Sequence, residues 1–102
     1  MSLSPDARIW SAKTDIQKVA FEGGSPGELD AAFKEIRTAL LDERPIQHVG
    51  SAIDALRLLS SLRNDRVVND LMEVLKRHQN DQAPQTEMKN ELKSLLQRAG
   101  LV

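Results

Sequence analysis

The segment running from about Pro45 or Ser51 to Arg63 is apolar on two sides of a helical wheel. Val49, Ala52, Ile53, Leu56 and Leu59 form one stripe at helical spacing, and Ala55, Leu58 and Leu62 form a second on nearly the opposite side. A helix greasy on both flanks cannot lie at the edge of a bundle with one face in water. It is either sandwiched by neighbours or covered by another molecule. This segment therefore predicts a chain built of several helices with itself near the middle.

Punctuation by Ser, Pro, Gly and Asn divides the rest of the sequence into four further helical segments, and none shows sustained period-2 alternation. The first opens at Ser4-Pro5-Asp6, with a cap, a first-turn proline and an acid at the positive helix end. Ile9, Ala12, Ile16, Val19 and Ala20 give its inner stripe, Trp10 and Phe21 share one flank, and Gly23-Gly24 ends it. The second opens at Ser25-Pro26-Gly27-Glu28, a capping-box pattern, and presents Leu29, Ala32, Phe33, Ile36, Ala39 and Leu40 on one face. Pro45 is expected to close it. The third has two competing starts, Pro45 and Ser51. The fourth is capped by Asn64 or Asp65 and carries Val67, Val68, Leu71, Met72, Val74, Leu75 and His78 on a wide face. The fifth follows the loop 80–84, with a seam of Met88, Leu92, Leu95 and Ala99 widened by Leu96, and Gly100 supplies a left-handed stop. The expected fold is all-α: about five helices in an antiparallel bundle or short helical-hairpin array, forming a single domain over residues 1–102.

Composition agrees with a folded chain. At 102 residues, one domain with a radius of gyration near ~13 Å is expected. Leu, Ile, Val and Phe make up about a quarter of the residues, above the level that signals disorder. With no cysteine, disulfides, thiolate metal sites and cysteine nucleophiles are excluded, and a cytoplasmic location is the expectation. The N-terminal residues lack the basic and apolar regions of a signal peptide, and no apolar run is long enough to span a bilayer. The ending Leu101-Val102 is compatible with the chain being one module of a longer protein.

Sliding the sequence by 36 residues sets Leu56-Arg57 over Leu92-Lys93 and Leu59 over Leu95, with Pro84 opening the later copy. This pattern, from Ile53 to Ala99, resembles a degenerate tetratricopeptide-type hairpin. It departs from that family's pattern where an aromatic and a glycine stand early in the first helix and a small alanine midway along the second. Here those regions hold Leu56, Leu59-Ser60 and Leu71-Met72. The resemblance implies a binding scaffold and no catalysis.

The residues capable of chemistry are sparse. His48 and His78 stand thirty residues apart with no HExxH or i, i+4 pair, so no metal site is expected and each reads as a helix-end residue. Ser60-Ser61 lie within a helix, not on a nucleophile elbow, and read as small residues at a helix contact. Gly23-Gly24-Ser25-Pro26-Gly27 precedes a helix but lacks the strand and Lys-Ser/Thr of a phosphate loop, leaving a connector. Asp42-Glu43 reads as a solvated turn. No cofactor is expected.

Two functions remain. The first is a non-enzymatic protein-interaction or adaptor module whose partner is another protein or a second copy of the chain. Its apolar anchors would be Trp10, Phe21, Leu58 and Leu62, with Arg57, Arg63 and Arg66 as a charged rim. It rests on the surplus of apolar surface, which leaves one face open. The alternative is a small regulator touching nucleic acid through Arg63, Arg66, Lys76 and Arg77. A net charge of −1 and the shortage of stacking aromatics weigh against it.

Overall fold

A computed structural model describes residues 3–81 and 84–102. Among these residues the chain is all-α, with five helices and no strand: α1 Pro5–Glu22, α2 Pro26–Leu41, α3 Val49–Leu62, α4 Arg66–His78 and α5 Thr86–Arg98. The Cα radius of gyration is 12.8 Å, as expected for the length. Residues 82 and 83 of the expected loop before α5 lie outside the described residues.

Local chemistry sets most helix ends. Ser4 Oγ accepts the Ala7 N–H at 3.1 Å, with Pro5 in the first turn of α1. Gly23 ends α1 at φ +79°, a left-handed conformation that side chains disfavour. Asp65 Oδ1 accepts the Val67 and Val68 N–H groups at 2.8 and 3.4 Å and so caps α4. At the end of α5, Leu101 N–H reaches Leu96 C=O at 2.9 Å and Gly100 N–H reaches Gln97 C=O at 3.1 Å. These paired bonds around a left-handed Gly100 form a Schellman motif.

Four local expectations are corrected. The capping box at Ser25 does not form: its side chain makes no cap bond, because the backbone C=O of Ser25 already takes the Glu28 N–H at 3.1 Å. α2 stops at Leu41, short of Pro45, since the Asp42 carboxylate takes the Arg44 N–H at 2.8 Å and turns the chain out of the helix first. α3 begins at Val49, between the two expected starts. Its entry is anchored by another helix: Asp6 on α1 accepts the N–H groups of Gln47 and His48, just ahead of the first turn, at 3.0 and 2.9 Å. Finally, α5 buries Met88, Leu92 and Leu96, an i, i+4 line, while Leu95 is partly covered and Ala99 is exposed.

The helices close a ring. α1 packs between α2 and α3, α3 packs on α4, α4 on α5, and α5 returns to α2. Arg8 of α1 pairs with Glu35 of α2 at 2.9 Å, so those two run antiparallel. Asp6 meets His48 and Lys13 meets Asp54, so α1 and α3 run parallel. One end of the bundle, the near end, therefore holds the starts of α1, α3 and α5 and the finishes of α2 and α4.

The inner stripe of α3 is wholly buried, and Ala55 of the outer stripe is buried as well. Outward along that second stripe Leu58 is half-buried and Leu62 is 40% exposed. The two-sided segment is thus sandwiched over most of its length and open at its last turn. The loop residue Ile46, which carries no periodic signal, is also core. Gln85 grips its backbone, accepting its N–H and donating to its C=O, each at 2.7 Å.

Candidate interaction surface

Pro5, Ile9, Ala12 and Ile16 take up one face of α1 in the core. A turn of about 100° per residue then sets Trp10 and Phe21 on the far side of the helix. Trp10 is 67% exposed and Phe21 is 87% exposed, so two of the chain's three aromatic rings stand in solvent. Thr14 and Gln17 lie between them on the same line and are exposed as well. The Thr14 hydroxyl donates to Trp10 C=O at 3.0 Å and so is satisfied within its own helix. The strip Trp10–Thr14–Gln17–Phe21 therefore contains no charge.

Because α1 and α3 run parallel, Phe21 and Leu62 both stand at the far end of the bundle. Leu58 lies one turn before Leu62, half-covered by the core it touches. Phe21 and Leu62 thus share one end of the bundle, with Trp10 three turns nearer the other. Lys13 Nζ, 3.9 Å from Asp54 Oδ2, bridges the two helices alongside.

The expected rim divides. Arg57 binds Asp54 Oδ1 at 3.2 Å and remains exposed on α3. Arg63 is drawn away to Asp30 of α2, and its Nε is buried without a hydrogen-bond partner. Arg66 is exposed in the first turn of α4, a helix that does not touch α1, so it is not brought to this face.

The near end carries the stronger electrostatics. The Arg44 guanidinium and backbone amide hold the Asp42 carboxyl far below the usual carboxylate range. Burial lowers the Lys89 ammonium, which donates to Ala39 C=O at 3.4 Å and so serves the free end of α2. His78 has its side chain 11% exposed and lies between two carboxylates: Nδ1 is 2.7 Å from Asp81 Oδ2, and Nε2 meets Glu91 on α5. Those contacts raise its pKa from 6.5, and the same bond lowers that of Glu91. Sequence reasoning placed His78 at a helix end but missed this clamp, since Glu91 is thirteen residues away and nothing local marks the pairing.

Neither ring nitrogen of His78 is open to a substrate, and Lys89 is turned onto backbone. A cleft of about 690 Å³ beside Lys89 is lined by Leu40, Leu41, Pro45, Thr86 and Lys93. Among the described residues no group of three or more His, Asp or Glu side chains is arranged to hold a metal ion. No helix among them is long and apolar enough to cross a membrane. No family model, curated protein or solved structure matches the chain.

Proposed function

We propose that this chain is a protein-interaction module, an adaptor without catalysis of its own, whose docking surface is the outer face of α1 with the adjoining flank of α3. The observation that carries this reading is the exposure of both Trp10 and Phe21 on one uncharged strip. A ring of this size removes roughly 150–250 Å² from water when buried, and aromatic side chains dominate the affinity of protein interfaces. Nothing in the fold requires those rings: the core is complete with Phe33 as its aromatic member. Leu62 extends the apolar surface at the far end, Leu58 supports it from below, and Arg57 orients the partner from the edge. The tetratricopeptide-type resemblance points the same way, toward a scaffold. Support for the nucleic-acid reading falls, because Lys76 pairs with Glu73 at 3.4 Å and Arg77 with Glu91 at 3.2 Å.

Replacing Phe21 by the photo-cross-linker p-benzoylphenylalanine in the native host tests the proposal, with the same group at exposed Gln97 as the control. A discrete protein adduct is expected from position 21 and none from position 97, and Trp10→Ala should abolish it. Failure of position 21 to capture any protein, including another copy of the chain, would refute the reading.

A further inference from the structure

We infer that the occupant of the α1 face is a second copy of this chain, with the two α1 helices packed antiparallel about a two-fold axis. The inference rests on the interaction reading above and names its partner. α1 is 18 residues long, and its uncharged strip is spaced so that reversing the helix superimposes the strip on itself. Set antiparallel about a centre between Ile16 and Asp15, Trp10 faces the partner's Phe21 and Thr14 faces the partner's Gln17. The same two contacts then recur on the other side of the axis. Large rings meet at both ends, and the polar pair meets at the middle, where the Thr14 hydroxyl is already satisfied by its own helix.

Charge complementarity selects this orientation. Along the α2-facing edge of the strip α1 carries Arg8, Asp15, Lys18 and Glu22, alternating plus, minus, plus, minus. Asp15, Lys18 and Glu22 are exposed, while Arg8 is already held by Glu35 at 2.9 Å. Antiparallel pairing sets Lys18 beside the partner's Asp15 and Glu22 beside the partner's Arg8. A parallel pair would lay this edge against the opposite edge of the partner's α1 and form neither of these pairs. An isologous contact requires such self-complementarity, which an arbitrary apolar strip lacks.

The area sets the class of contact. The two rings leave on the order of 300 Å² exposed per copy, on a helix about 27 Å long. Two such faces together reach the lower end of specific interfaces, below about 1,200 Å² in total. A contact of that size belongs to the weak, reversible class, and area alone does not set its affinity.

Sedimentation equilibrium of the full chain from about 1 to about 500 µM reads the association directly. A monomer–dimer equilibrium is expected, with Trp10→Ala/Phe21→Ala monomeric over the range. Lys18→Glu sets two carboxylates together at both symmetric contacts and should weaken the dimer about tenfold. Asp15→Lys should do the same, and the swap Asp15→Lys/Lys18→Glu should restore wild-type affinity. All these residues are exposed, and unchanged circular dichroism confirms that each variant is folded. A monomer at every concentration, or a dimer that the charge swap does not rescue, would overturn the inference. A monomeric chain that still cross-links a different protein through position 21 overturns the second copy alone and leaves the interaction reading standing.

Discussion

Leu56→Ala is the sharpest test of the architecture, because α3 must be central for the rest to hold. Leu56 is fully buried in the middle of a helix packed against α1, α4 and, more lightly, α2. Removing three carbons there forfeits transfer energy and leaves a cavity that helices on several sides cannot collapse to fill. The expected cost is about 3–4 kcal/mol. Domains of this size have a total stability of about 5–15 kcal/mol, so the variant should be severely weakened. Leu62→Ala offers the contrast. That side chain is 40% exposed at the last turn, and its loss should cost about 1 kcal/mol. Leu58→Ala, half-buried between them, should fall near 2 kcal/mol. Urea unfolding followed by circular dichroism at constant m-value measures all three. In a thermal scan each kcal/mol corresponds to about 4–8 °C. If Leu62→Ala costs as much as Leu56→Ala, α3 is not the sandwiched helix described here.

The His78 clamp predicts a pH window. Its folded pKa is raised above 6.5, so its contribution is complete below 6.5 and disappears as pH climbs through the raised value. Glu91 is lowered from 4.5, so its contribution is complete above 4.5 and fades as pH falls through the lowered value. Unfolding free energies from pH 4 to 9 should show wild type losing more stability than His78→Gln on the alkaline side; parallel curves would refute the clamp. At the helix starts, Asp65→Ala should cost about 1 kcal/mol in urea unfolding, because it removes the side-chain cap of α4. Ser25→Ala should cost less than about 0.5 kcal/mol, because that hydroxyl caps nothing. Equal costs at the two sites would contradict the capping assignments.

Helix identity was legible wherever signals were local and periodic. The face read for α2, from Leu29 to Leu40, is the face it buries, because its six apolar residues recur at helical spacing on one side. Asp65 and Gly100 act as their residue types dictate. What escaped the sequence depends on distant partners. The entry to α3 is anchored by Asp6, some forty residues away. Ile46 is buried because Gln85 secures the loop around it, and no periodicity marks a single loop residue. On α5, alternative seams were equally apolar in sequence, and packing against both α4 and α2 selected the line through Leu96. Trp10 and Phe21 were readable as sharing a flank, yet their exposure follows from the placement of α2 and α3 around α1, which sequence spacing does not specify.

The carboxylate that Asp6 lends to residues 47 and 48 makes the approach to one helix conditional on another's arrival. A peptide covering only residues 47–62 would have no partner for those amides and would fray at its start. The chain entering the central helix is fixed only while α1 is docked alongside it. Local order here is thus completed by assembly, which couples the middle of the chain to its beginning and favours unfolding in a single cooperative step.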